Sequence, residues 1–187
     1  MNPFTQAGSL ITQTVFDLYL LVIVLRLILQ YFRISFANQI AQFTYKLTEP
    51  VVSHFRHIIP RTRLFDLPLS VFLFLCICIK FILLGLLMGS VNVNPWTLSV
   101  LAVAEVLRIG LNVFFYALLL SVILSWVNPG LHSPLTNILY RLTEPLLAPF
   151  RRVLPLIAGI DLSILFAMMG IKLMEIFLLG YLLRLAL

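Results

Sequence analysis

Twelve charged residues carry whatever chemistry this chain can do, and they fall into two sets. The first comprises Asp17, Arg26, Lys80, Glu105, Arg108, Lys172 and Glu175, each embedded in a long apolar run. Carboxylates and amines in such surroundings either pair with one another or line a route for protons or ions. Left unpaired at mid-bilayer, each costs about 2.5–3.5 kcal/mol on insertion scales. Glu105 with Arg108 and Lys172 with Glu175 are spaced i, i+3, one turn apart on a helix. The second set, Glu49, Arg56, Glu144, Arg151 and Arg152, lies in less apolar stretches between the runs. There glutamate and arginine can pair locally or present a docking surface to a partner or to anionic lipid.

Other candidates carry less. His54 and His57 stand one helical turn apart, a spacing that can hold a metal or haem. Their counterparts in the second half are Pro149 and Arg152, so the pair reads as surface residues and no metal is expected. Cys76 and Cys78, two apart in an apolar run, point about 200° away from each other on a helix and read as packing residues. No Ser/His/Asp set, metal cluster or glycine-rich phosphate loop is legible. The expectation is therefore no catalytic residue, no cofactor and no enzymatic activity.

The elements that position these residues follow from hydropathy. Hydrophobic residues make up 61% of the 187, charged residues 11%, and the mean hydropathy is +1.08. Soluble domains carry about 25% charged residues, so this composition describes an integral membrane protein. The net charge of +6 fits loops facing anionic lipid better than nucleic acid, and no direct nucleic-acid binding is expected. The N-terminus lacks the basic segment of a signal peptide, so the first apolar run is expected to be retained. Four spans are expected, at about 11–32, 66–88, 96–127 and 161–187. The third is longer than a span of ~20 residues needs and should tilt or bend, with Gly110 and Asn112 as the place.

The chain is also written twice. Tyr45 to Leu67 (YKLTEPVVSHFRHIIPRTRLFDL) and Tyr140 to Leu162 (YRLTEPLLAPFRRVLPLIAGIDL) match at ten of 23 positions at an offset of 95. The match extends outward, with Ile28-Leu29-Gln30-Tyr31 against Ile123-Leu124-Ser125-Trp126 and Asp17 against Asn112. Residues 1–92 and 93–187 are thus two parallel copies of span, amphipathic segment, span, giving an all-α membrane protein with four transmembrane helices. Lys80 and Glu175 are equivalent and opposite in sign, so they are expected to meet across a pseudo-twofold axis, while Asp17 can reach Lys80 or Lys172.

The amphipathic segments, 38–60 and 133–155, place Ile40, Phe43, Leu47, Val51, Phe55 and Ile58 on one side and Gln42, Lys46, Glu49, Arg56 and His57 on the other. In the second copy Ile138, Leu142, Leu146, Phe150 and Val153 oppose Arg141, Glu144, Arg151 and Arg152. Asn38 and Ser133 are placed as N-caps, Pro50 and Pro145 should kink each helix, and Pro60 and Pro155 should end it. Asp66 and Asp161 are placed to cap the following spans. Glutamate and arginine should pair across each kink. Positive charge is concentrated in both segments, which puts them on the cytoplasmic face with both termini outside.

At TEP…FRR-x-x-P…GIDLS, carried by Thr143, Glu144, Pro145, Phe150, Arg151, Arg152, Pro155, Gly159, Ile160, Asp161, Leu162 and Ser163, the second copy resembles the YggT family of small bacterial inner-membrane proteins. Length and duplication resemble a whole family member. The first copy departs from the motif, with His57 for the second arginine and Arg63-Leu64-Phe65 where the second has Ala158-Gly159-Ile160. The resemblance implies the bacterial inner membrane and no established enzymatic activity. It also implies association, shared with YlmG-like plastid relatives, with cell division or nucleoid distribution, osmotic tolerance and maturation of membrane cytochromes.

The reading that follows is a non-catalytic membrane accessory protein. Its amphipathic helices would dock a protein partner or anionic lipid through Glu49, Arg56, Glu144, Arg151 and Arg152. The expected partners are membrane lipids and a membrane protein, and the repeat also invites a homo-oligomer. The alternative is a small ion or solute transporter using the charges within the spans.

Overall fold

The computed structural model describes residues 3–35, 38–57, 66–89, 94–127, 133–153 and 161–186. Those residues form six helices: α1 (Pro3–Tyr31), α2 (Gln39–Arg56), α3 (Leu67–Met88), α4 (Pro95–Val127), α5 (Pro134–Val153) and α6 (Leu162–Ala186). Four of these, α1, α3, α4 and α6, are long and apolar enough to cross a membrane. The fold is an all-α membrane protein built as two repeats, α1–α2–α3 and α4–α5–α6. The first span begins nearer the N-terminus than hydropathy indicates, at Pro3, and the Thr12 and Thr14 hydroxyls are satisfied within the helix by the Gly8 and Leu10 carbonyls. α4 is helical through Gly110, and α2 and α5 run on through Pro50 and Pro145. Pro60 and Pro155 lie outside the described residues.

Helix ends follow their local chemistry. Asn38 Oδ1 accepts from the Ile40 N–H at 2.9 Å, and Ser133 Oγ accepts from the Thr136 N–H at 3.2 Å, so both cap as their residue types dictate. Asp161 Oδ1 caps α6 through the Ser163 N–H at 3.0 Å. Asp66 stands at the equivalent position but makes no side-chain cap bond. Its Oδ2 instead accepts from Gln30 and Arg56, so the expected cap is a polar junction. α1 ends in a Schellman turn: the Ile34 N–H reaches the Leu29 carbonyl and the Arg33 N–H reaches Gln30, each at 3.0 Å. Arg33 sits there at φ 50°, a left-handed position usually given to glycine.

The helices pack with α1 and α4 at the centre. α3 lies against α1 and α4, α6 against α4, and α2 and α5 touch at the end where each repeat turns. The largest apolar cluster gathers Leu20, Ile23 and Val24 of α1 with Phe72, Leu73 and Ile77 of α3 and Ile109 and Val113 of α4. A second joins the repeats through Leu29, Ala41, Ile138 and Leu142. There Asn38 Nδ2 also donates to the Pro134 carbonyl at 2.8 Å, and Phe32 meets Phe114 edge-on at 6.1 Å. A third sits between α4, α5 and α6 around Leu118, Leu147, Ala167 and Ile171. The outer faces of the spans carry exposed leucine, isoleucine and phenylalanine, among them Leu18, Phe74, Leu120 and Phe177, as a lipid-facing surface requires.

α3 and α6 do not touch, since α1 and α4 fill the centre. Lys80 and Glu175 therefore do not meet, and the expected lock between equivalent residues is corrected by this packing. Lys80 instead pairs with Asp17 and Glu105, and Glu175 with Lys172 on its own helix.

Candidate functional site

Two charged assemblies emerge. The first lies within the spans at the junction of α1, α3 and α4. Lys80 Nζ, buried at 3% side-chain exposure, donates to Asp17 Oδ1 and to Glu105 Oε1, both at 2.5 Å. Arg108 Nη2 donates to Glu105 Oε1 at 2.8 Å and lies 3.9 Å from Asp17 Oδ2. Two cations meet two anions, and the set is neutral, which removes most of the insertion cost each charge would carry alone. Because Asp17 and Lys80 belong to the first repeat and Glu105 and Arg108 to the second, the cluster ties the repeats together.

The second repeat has a smaller counterpart. Lys172 Nζ donates to Asn112 Oδ1 at 2.9 Å and to Glu175 Oε2 at 2.7 Å, and lies 4.6 Å from the centre of the Phe115 ring. Asn112 thus takes the role of Asp17, its equivalent.

The second assembly is built by the duplicated motif. In the first repeat Arg26 projects from α1 and is 2% exposed. It donates to Thr48 Oγ1 and, at 2.8 Å, to Glu49 Oε2, with its guanidinium 4.5 Å from the centre of the Tyr45 ring. Glu49 Oε1 accepts from Arg56 seven residues on, across Pro50. Arg56 continues to Asp66 Oδ2 at 3.5 Å, where Gln30 also arrives at 3.3 Å. Partial burial lowers the Arg56 pKa, but hydrogen bonding to Tyr45 and the charges of Glu49 and Asp66 outweigh it and hold it above the ordinary arginine value. Arg26 therefore belongs with this motif and not with the charges near mid-span, a grouping hydropathy could not reveal.

In the second repeat Arg151 joins Glu144 Oε2 and Asp161 Oδ2, each at 2.9 Å. Burial raises the Asp161 pKa, but hydrogen bonds from Ser163 and Arg151 overcome it and hold the carboxyl below its ordinary value. Unlike its counterpart, this copy is open: Arg151 is 42% and Glu144 36% exposed. A cavity of about 260 Å³ lies beside them, bounded by Ser121 and Ser125 of α4 and by Tyr140, Thr143, Glu144 and Arg151 of α5. Sequence reasoning singled out Glu144 and Arg151 but missed the cavity, whose small walls, Ser121 and Ser125, read as ordinary span residues. Arg152 is exposed and makes no ion pair among the described residues.

His54 is exposed, with Nδ1 2.9 Å from the Pro50 carbonyl, and His57 is exposed as well. Among the described residues no group of three or more His, Cys, Asp or Glu is placed to hold a metal. Cys76 is buried and Cys78 half-buried, and both are free thiols.

A fold of four spanning helices in two repeats, each carrying a Thr-Glu-Pro…Phe-Arg helix closed onto an aspartate, defines a class of small duplicated membrane proteins. This chain belongs to the CCB3/YggT family, whose profile matches twice, over residues 5–87 and 100–182. An uncharacterized protein of Pseudomonas aeruginosa is 40% identical over 176 residues, covering 94% of this chain and 89% of its own length. One from Vibrio alginolyticus is 38% identical, covering 88% and 89%. The YggT protein of Escherichia coli K12 is 35% identical, covering 87% and 82%. No solved structure matches the chain.

Proposed function

We propose that the chain is a non-catalytic membrane accessory protein whose second-repeat helix, α5, docks a protein partner at the membrane surface. Membrane-complex assembly, cell division and osmotic stress tolerance are the settings such a role would serve. The observation that carries this reading is the difference between two copies of one motif. Around Glu49 the constellation is sealed by Arg26, whereas around Glu144 the same residues are open and flanked by the exposed cations Arg141 and Arg152. A motif kept closed in one copy and open in the other divides labour between scaffold and contact surface. The excess of positive charge on α2 and α5 favours a cytoplasmic orientation for this end of the bundle.

The charges within the spans support the same division. Lys80, Asp17, Glu105 and Arg108 satisfy one another in a neutral set, the arrangement of a structural tie between repeats.

The test is photo-crosslinking in living cells from a probe at Asn137, an exposed position of α5. A discrete protein adduct that is lost with Arg152→Glu supports docking. Labelling of lipid alone overturns it.

A further inference from the structure

The open cavity of the second repeat is the place that Arg26 fills in the first. Each of its named walls has a counterpart 95 positions earlier in the sequence: Ser121 for Arg26, Ser125 for Gln30, Thr143 for Thr48, Glu144 for Glu49, and Arg151 for Arg56. Two long polar side chains, Arg26 and Gln30, are replaced by serines whose hydroxyls turn back to their own helix, Ser121 to the Ala117 carbonyl and Ser125 to Val122. What remains is space for a group of side-chain size, larger than a single water needs.

The acceptors that Arg26 engages are still present. Thr143, 3% exposed, donates to the Leu139 carbonyl just as Thr48 donates to Thr44, which leaves its oxygen able to accept. Glu144 uses Oε2 for Arg151, and its Oε1 accepts no hydrogen bond among the described residues. Charge tells the same story. Arg26 and Arg56 balance Glu49 and Asp66 in the first repeat, whereas Arg151 alone faces Glu144 and Asp161 in the second. Among the ion-paired residues the second set has one cation fewer, since the nearby Arg141 and Arg152 are exposed and make no ion pair among the described residues.

We propose that this cavity is a binding site for a guanidinium group, delivered as an arginine side chain on a membrane-embedded helix of the docked partner. Guanidinium is the group the first repeat places against the same acceptors, and it too arrives there from a spanning helix. Its planar fork satisfies the threonine and glutamate oxygens together. An aminophospholipid fits less well, because its ammonium is a compact point charge without the planar fork that meets the threonine and glutamate oxygens together. This site rests on the docking reading above, and names the chemistry by which α5 recognises its partner.

The experiment uses the full chain in detergent with octylguanidinium as the probe and octyltrimethylammonium, which has no N–H donor, as the control. Octylguanidinium at about a hundredfold excess over its Kd raises the Tm by roughly 5–10 °C, and the control does not. Ser121→Arg supplies the missing guanidinium from within, raises the Tm without ligand and abolishes the response. Glu144→Gln, nearly isosteric, also abolishes it and serves if the first variant fails to fold. An undiminished response in both variants, or equal responses to both amphiphiles, overturns the site. Co-purification of phosphatidylethanolamine that Ser121→Arg displaces would assign the cavity to a lipid amine and overturn the arginine. If the octylguanidinium response fails while the Asn137 adduct persists, the site alone falls. If the adduct fails while the response holds, the docking reading falls.

Discussion

Lys80 of the first repeat and Glu105 of the second lie 2.5 Å apart, on helices α3 and α4 that meet inside the bundle. The contact is asymmetric. The position equivalent to Glu105 in the first repeat is Leu10, and the position equivalent to Lys80 in the second is Glu175, which pairs only along its own helix among the described residues. A duplicated sequence thus folds into repeats that share a backbone plan and the motif's arginine–carboxylate pairs but not the ion pairs within the spans.

Removing Lys80 leaves two carboxylates facing one another with Arg108 as their remaining cation. Lys80→Met is expected to cost about 3–5 kcal/mol, as breaking a buried pair does, read as a fall in Tm in detergent. Lys80→Met combined with Glu105→Leu restores charge balance and regains most of the loss. Combination with Glu175→Leu restores nothing, because that residue is elsewhere.

Arg26 seals the first repeat by fork geometry as well as charge. Arg26→Met leaves Thr48 and Glu49 without their buried donor and should lower stability by about 3 kcal/mol or more. Arg26→Lys keeps the charge but cannot reach both oxygens in one plane, so it recovers only part. Thermal unfolding of the three proteins side by side gives the order.

Arg33 offers a gain. It occupies a left-handed position that costs a non-glycine residue about 1 kcal/mol, and Arg33→Gly should recover about that much without altering the Schellman turn of α1. A Tm that falls would show that the arginine side chain has a contact worth more than the strain.

Asp161 makes the fold sensitive to acid at one defined place. Its pKa lies below the ordinary 3.8 because Ser163 and Arg151 stabilise the carboxylate. The group therefore stabilises the fold fully above the unfolded-state value, and that contribution is lost as pH falls through the lower folded-state value. Asp161→Ala should cost about 1 kcal/mol at neutral pH, mostly from the lost cap, and should flatten the stability profile at the acid end.

The spans and the duplication were legible because long apolar runs and a fixed offset of 95 are properties of the sequence itself, and the caps at Asn38, Ser133 and Asp161 because each depends on neighbours within one turn. The partners of the buried charges were not. Symmetry suggested that Lys80 faces Glu175, but which helices occupy the centre depends on how whole faces pack, and α1 and α4 took that place. Arg26 read as one more intramembrane charge because its reach to Glu49 spans two helices. The cavity was hidden for a different reason: Ser121 and Ser125 matter through the size of Arg26 and Gln30, which stand 95 positions earlier, and that difference gains meaning only from the packing of Arg26 against Thr48 and Glu49.

If α5 is the docking helix, the second copy of the motif is the contact surface and the first its sealed scaffold. Gln42 and Asn137 are equivalent, exposed positions on α2 and α5, so one photo-crosslinking probe placed at each in turn compares the two copies within one protein. Docking through α5 alone gives a discrete protein adduct from Asn137 and none from Gln42. Equal adducts from both positions, or an adduct from Gln42 alone, would contradict it.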